Sequence, residues 1–225
     1  SILFFSFSAF AQELIVVNGG VFGSSQYANF TTQSLSGGSL TSVDTIYTNS
    51  IQDVVLDGQF AYVAAQDSII KYNLASNSRV SAIAFGAVST IKLAIHNGYL
   101  IAGNWYAPWG QVGPYTNHFR VFDANDLSFV DSIPAITKPA KDFVVHNNLA
   151  YIAQNNAKTA GFGDTLGYVS VVDLNSMTLL RNDTLSTNGD EIGRMILEGD
   201  VLYTINSSSN TISTYDLNTQ TYSTQ

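Results

Sequence analysis

Apolar positions along the chain fall in short runs separated by pairs of small or turn-forming residues, the spacing of strands and hairpins with almost no helix. Four segments line up with one another: Gln52 to Ala64, Lys92 to Ala102, Lys141 to Ala153 and Gly193 to Ile205. Each is an apolar run, a turn pair and a second apolar run. The turns are expected at Asp57-Gly58, Asn97-Gly98, Asn147-Asn148 and Glu198-Gly199, because Gly and Asn tolerate the positive φ of a tight hairpin.

A second hairpin follows each of these. Ser68 to Leu74 turns into Arg79 to Ile83, Phe119 to Asp123 into Leu127 to Val130, and Tyr168 to Leu174 into Met177 to Leu180. Thr211 to Leu217 turns towards Thr221, where only the start of a fourth strand is expected. A unit thus holds four antiparallel strands, named a to d. Tyr62, Ile101, Tyr151 and Tyr203 share one slot, spaced 39, 50 and 52 residues apart. Four strands per ~40–50 residues is the period of a β-propeller blade; a β-helix repeats in shorter steps and a sandwich does not repeat. The predicted fold class is therefore all-β, a propeller of four-stranded antiparallel blades.

The first unit offers strands near Leu14–Val17, Ala28–Gln33 and Leu40–Ile46, which match b, c and d. No strand a precedes them, and the last unit does not supply one, so the ring is expected to be incomplete. Expected unit boundaries are 12–48, 49–88, 89–137, 138–188 and 189–225. A closed ring of seven needs about 300–350 residues at ~40–50 per blade, so the native protein is expected to be longer.

Tyr203-Thr-Ile-Asn206, followed by Asn210-Thr-Ile-Ser-Thr-Tyr-Asp216, resembles the YVTN repeat of exported bacterial and archaeal surface-layer-type propellers. The order of Thr and Ile departs from that repeat, and Ala65 and Gln154 replace its Asn in other units. Leu14 to Gly23 is similar to the first blade of Bacteroidetes surface propellers. The resemblance covers residues 13–225 and implies a fold and an extracellular setting, not an activity. In such proteins a C-terminal sorting domain often follows.

Composition narrows the partners. Hydrophobic residues make up 45% of the 225 and charged ones 12%, enough apolar mass for a sizeable core. The net charge is −8, a field that repels nucleic acid and anionic membrane surfaces. A protein or glycan partner and a monomeric state are expected. With no cysteine, disulfides, thiolate zinc sites and a cysteine nucleophile are excluded. Ile2 to Ser8 is an unbroken apolar run followed by Ala9-Phe10-Ala11. That pattern reads as the end of a signal peptide, residues 1–11, cleaved before Gln12; the run is too short for a membrane span. An ordinary buried strand is the other reading of the same residues.

Several constellations carry two readings each. Asn73, Asp123, Asp173 and Asp216 end strand c, either as calcium ligands or as acceptors for the backbone of the c–d turn. His96 and His146 lie near the a–b turns of neighbouring units, where a shared metal competes with mere surface polarity. In that alignment Leu56 and Leu197 match His96, and His146 falls opposite Asp57. His118 precedes a strand c with no third ligand identifiable. Asp53 and Asp142 open strand a, with Leu93 and Arg194 in the other units; they suit either acid–base work at the channel mouth or plain channel polarity. No nucleophile elbow, zinc-binding helix or phosphate loop occurs. No catalytic residue, metal site or cofactor is assigned.

The most distinctive segment is the b–c loop of the third unit, Asn104 to Asn117. It holds both tryptophans of the chain. Trp105, Tyr106, Trp109 and Tyr115 form the candidate ligand-binding set, beside a second long loop at Asn155–Leu166 on the next unit. Long loops on a rigid scaffold gather binding residues; the same rings would otherwise cap the neighbouring blade, and at least one indole is expected to be accessible. Two function classes follow: an exported non-enzymatic binding or scaffold module, or a propeller hydrolase of lactonase type working at the channel mouth.

Overall fold

The computed structural model describes residues 13–20, 26–34, 37–48, 50–84, 90–104, 118–155, 167–185, 192–207 and 209–224. The first sheet is three-stranded, with β1 (Glu13–Asn18), β2 (Ala28–Ser34) and β3 (Thr41–Ile46). The second holds β4 (Asp53–Asp57), β5 (Phe60–Ala65), β6 (Ser68–Asn73) and β7 (Ser78–Ala84). The third holds β8 (Thr90–His96), β9 (Tyr99–Asn104), β10 (Phe119–Asp123) and β11 (Phe129–Ser132). The fourth is β12 (Ala140–His146), β13 (Leu149–Asn155), β14 (Gly167–Asp173) and β15 (Thr178–Thr184). The fifth is β16 (Ile192–Glu198), β17 (Val201–Asn206), β18 (Thr211–Asp216) and β19 (Thr221–Thr224). No helix occurs among the described residues, and each strand pairs antiparallel with its neighbour in sequence within its sheet. In the fifth sheet the fourth strand is four residues long and pairs only with Ser213–Asp216, the start of a strand expected there.

The first strands sit side by side, β4 against β8, β8 against β12 and β12 against β16. They form the inner edge of a radial array, and the chain is an incomplete β-propeller. Two a–b turns fall where predicted, with Asn97, Gly98, Asn147 and Asn148 at φ of 50°, 79°, 49° and 63°. The other two sit one residue later, at Gly58-Gln59 and Gly199-Asp200, because Asp57 and Glu198 still pair as strand with Phe60 and Val201. The c–d turns also share a left-handed residue: Asn77, Leu127, Met177 and Gln220, at 48°, 64°, 53° and 56°. Leu127 is thus a buried turn residue and not the start of a strand; β11 begins at Phe129.

Both faces of an inner blade are covered, so strand alternation sorts side chains towards the next blade or the previous one. In the second blade Tyr62, Ala64 and Ile69 face forward and cluster with Leu93, Leu100, Ala102 and Phe122 of the third. Ala61, Val63, Ile70 and Tyr72 face back onto Ala28, Phe30 and Ile46 of the first. Phe30 and Tyr72 stack with ring centroids 4.3 Å apart. Between the third and fourth blades the approach is tightest at Gly103, where a Cβ would meet the Ala140 carbonyl oxygen at 2.9 Å and the Phe143 ring at 3.2 Å.

The predicted repeat slot holds. Tyr62, Ile101, Tyr151 and Tyr203 stand opposite Val55, Ala94, Val144 and Ile196 on strand a. On strand c they face Lys71, Val121, Val171 and Thr214.

Candidate functional site

The b–c loops and the d–a connections emerge on one rim of the array. The long loop of the third blade springs from Asn104 and His118, whose backbones close its base with an N–H to O bond of 2.8 Å. Asn104 is wholly buried and His118 is 2% exposed; burial pushes the His118 imidazole down, partly offset by its hydrogen bond with Asn104 and reinforced by Arg120. On the adjoining blade the second long loop is closed by the Asn155–Gly167 pair, and Leu185 N–H bonds to the Gly167 carbonyl at 2.9 Å. The two loop roots therefore stand on neighbouring blades and the same rim. Trp105, Tyr106, Trp109 and Tyr115, and nearly all of the Asn155–Leu166 loop, lie outside the described residues.

The channel-side slot is more specific than its sequence suggested. Asp53, Lys92, Asp142 and Arg194 stand opposite Ala64, Gly103, Ala153 and Ile205. Lys92, not Leu93, occupies the third blade's position, because a bulge after Thr90 shifts β8 by one residue; the same irregularity follows Ala140 and Ile192. Charge alternates along the slot. Asp53 Oδ2 accepts the Leu93 N–H of the next blade at 2.8 Å, and Lys92 Nζ lies 3.5 Å from the same oxygen. Asp142 Oδ2 likewise accepts the Met195 N–H at 2.9 Å. Lysine cannot accept, so the corresponding Phe143 N–H is taken by Asp142 Oδ1, at 2.9 Å. Burial pushes the Asp142 carboxyl up, opposed by the Met195 and Phe143 N–H groups and by Lys92 and Arg194. Both acids thus latch one blade to the next.

The other constellations resolve in the same direction. Asp123, Asp173 and Asp216 accept turn N–H groups from Asn125, Asn175 and Asn218 at 2.7, 2.8 and 2.9 Å. Uncharged Asn73 does so from Ala75 at 2.9 Å, which is the structural reading of that slot. His96 and His146 do share one position, each the last residue of strand a, and their counterparts are Asp57 and Glu198, not Leu56 and Leu197 as expected. Each histidine reaches the next blade's turn, His96 Nε2 to Asn148 Oδ1 at 2.8 Å and His146 Nε2 to Asp200 Oδ1 at 3.5 Å. Among the described residues no group of three His, Asp or Glu side chains is placed to hold a metal.

Lys71 had no place in the sequence reading. Its side chain is buried at the forward slot of the second blade, and Nζ donates to the Ala124 and Asn125 carbonyls at 2.8 Å each. Tyr62 Oη donates to the same Ala124 oxygen at 2.7 Å, and the Phe60 ring lies 4.0 Å from Nζ. Burial pushes the ammonium down while Asp123, Asp57 and Asp126 pull it back up. The available signal was a lone cation between apolar neighbours at the Ile69 register. A second clasp joins Tyr72 Oη to Asp44 at 2.7 Å, with Arg79 Nε on the same carboxylate at 2.8 Å.

No family model matches the chain, and no curated protein matches it. Solved structures are similar at the level of fold. One is a chain of the Mitotic Checkpoint Complex, with a TM-score of 0.66 at 12% identity over 100% of this chain and 74% of that one. The Dos1 propeller gives 0.62 at 13% over 86% and 52%. The RRP9 WD40 repeats give 0.59 at 15% over 78% and 50%. The chain thus spans about half the length of the Dos1 and RRP9 chains.

Proposed function

We propose that this chain is part of an exported, non-enzymatic β-propeller of the YVTN type, a scaffold that holds a partner on its b–c rim. The carrying observation is the placement of two long-loop roots, Asn104–His118 and Asn155–Gly167, on adjoining blades and one rim. A rigid radial frame carrying a loop with Trp105, Tyr106, Trp109 and Tyr115 suits recognition at low entropic cost. A protein is the favoured occupant of these loops, in keeping with a fold neighbour that is a chain of the Mitotic Checkpoint Complex. Export is supported by the apolar run ending in Ala9-Phe10-Ala11. Further blades beyond the fifth belong to the same proposal.

The hydrolase reading is less favoured because Asp53 and Asp142 spend carboxylate oxygens on Leu93 and Met195 N–H groups. An acid so engaged is poorly placed to move a proton for a substrate.

The experiment has two arms. Expressed with this N-terminus behind an initiating Met and basic leader in a Gram-negative host, the protein should be recovered outside the cytoplasm beginning at Gln12. Crosslinking from the loop in the native host should capture a partner whose recovery is lost in Trp105→Ala/Trp109→Ala. Cytoplasmic retention of Phe4 and Phe5, or unchanged capture, contradicts the corresponding half; turnover of a lactone or ester panel would revive the enzyme.

A further inference from the structure

The seams between the described blades reuse the same strand slots, so alternation alone does not dictate which blade follows which. The seam between the second and third blades departs from the others on both of its sides. On the second blade Lys71 stands where Val121, Val171 and Thr214 stand on the third, fourth and fifth, and it is 2% exposed. On the third blade the residue after strand c is Ala124, where the other blades carry Leu74, Leu174 and Leu217. Ala124, Leu74, Leu174 and Leu217 are true counterparts, because each donates its N–H to a carbonyl of its own a–b turn. The acceptors are Gly98, Gln59, Asn148 and Asp200, at 2.9, 2.8, 2.9 and 2.9 Å. The two departures fit each other. The small Ala124 side chain leaves its carbonyl open to Lys71 Nζ at 2.8 Å and Tyr62 Oη at 2.7 Å, and the Asn125 carbonyl accepts a second ammonium proton at 2.8 Å. The tyrosine clasp of the flanking joints does not occur here. Tyr72 and Tyr215 donate to Asp44 and Asp183 of the preceding blade, whereas the third blade has Phe122, without a hydroxyl, in that slot.

A buried ammonium is a poor way to gain stability, since an apolar residue of similar volume often serves as well. What it adds is discrimination. Against a turn with leucine, as in the second, fourth or fifth blade, the longer side chain would crowd Lys71 and Tyr62, and the ammonium would be sealed in without its acceptors. An apolar residue opposite the Ala124 turn would leave a gap and a carbonyl without its donor. We infer that Lys71, Tyr62 and the Ala124 and Asn125 carbonyls form a pairing key that makes the second blade accept the third and reject the other blades, fixing blade order as the chain folds. Repeat chains whose units share one interface misassemble by pairing the wrong units or the units of another copy. A buried polar contact that only the right pair satisfies works against those alternatives.

The test is refolding of the 225-residue protein from urea, read by size-exclusion chromatography with light scattering and by the urea midpoint. Lys71→Val/Ala124→Leu gives this seam the residues found in the corresponding slots of the fourth blade. Each single change should lower the midpoint. The double change should recover most of that loss yet refold to a mixture of monomer and larger, exchanged species, where the parent gives one species. Val121→Lys/Leu174→Ala, which copies the lysine and the small turn residue onto the third–fourth seam, should give a mixture with Lys71 intact, because the key is then no longer unique. Circular dichroism checks that each variant is folded. The inference is overturned if both double variants refold as uniformly as the parent. It is equally overturned if the single losses simply add in Lys71→Val/Ala124→Leu, since the two positions would then not form one joint.

Discussion

The forward side of the second blade and that of the fifth are built from the same slots and meet different surroundings. In the second, Tyr62, Ala64, Ile69 and Lys71 are all buried, roofed by the third blade. In the fifth the counterparts are Tyr203, Ile205, Ile212 and Thr214, and Ile205 and Ile212 are 47% and 53% exposed, with Ile196 at 59%. The fifth blade's apolar character therefore matches a covered face, while its exposure reflects the absence of a roof among the described residues. Periodicity decides which way a side chain points; the neighbouring blade decides whether it is buried.

The sharpest way to break that comparison is to truncate the shared slot on both blades. Tyr62→Ala removes a buried ring and its bond to the Ala124 carbonyl, and should cost about 3–5 kcal/mol in chemical denaturation. Tyr203→Ala should cost less than about 1 kcal/mol. Equal losses would mean the two slots are not equivalent in fold and different in cover.

Lys71 and Thr214 sharpen it next. Lys71→Met keeps the packing stem but leaves the Asn125 carbonyl without its donor, an expected loss of about 1–3 kcal/mol. Thr214→Lys on the uncovered face should change the unfolding midpoint little.

Asp142 gives its seam a pH signature. Its folded-state pKa is raised above the ordinary 3.8 by burial, so the protonated form is favoured on folding. The stabilising contribution of that protonation is fully present below 3.8 and is lost as pH rises through the raised value. Asp142→Asn removes this dependence: the stability of the parent relative to the variant should improve on acidification from neutral pH towards the carboxylate range. Asp142→Ala, which leaves the Met195 N–H without its acceptor, should cost about 1–3 kcal/mol. Urea midpoints across pH decide both. The smallest effect belongs to Ile196→Thr, Ile205→Thr and Ile212→Thr, each within about 0.5 kcal/mol but together lowering the binding of a hydrophobic dye.

What could be read from the chain follows from the same distinction. Blade period, strand count and the Tyr62 slot were legible because they rest on alternation and local turn chemistry. Asn97-Gly98 and Asn147-Asn148 fell at their turns for that reason. The bulges after Thr90, Ala140 and Ile192 leave no mark on periodicity, so Leu93 was placed in a slot that Lys92 holds. Asp57 and Glu198 extend strand a by one residue into the expected turn, which is why the counterparts of His96 are hidden in the sequence. The interblade contacts of Lys71 with Ala124, Asp142 with Met195 and Tyr72 with Asp44 join residues far apart in sequence. Only the stacking of blades brings them together. Of the candidate site, the placement of the two long-loop roots on one rim was legible, because loop length and strand alternation set it; Trp105, Tyr106, Trp109 and Tyr115 lie outside the described residues.

Hydroxyl-radical footprinting of the 225-residue chain, read residue by residue in a mass spectrometer, tests the repeat-and-roof account most directly. Tyr62 and Tyr151 should resist oxidation while Tyr203, Ile205 and Ile212 are labelled. Labelling of Tyr62 and Tyr151 at the rate of Tyr203 would contradict it, since three residues in one slot would then share one environment and the blades would not be stacked as described.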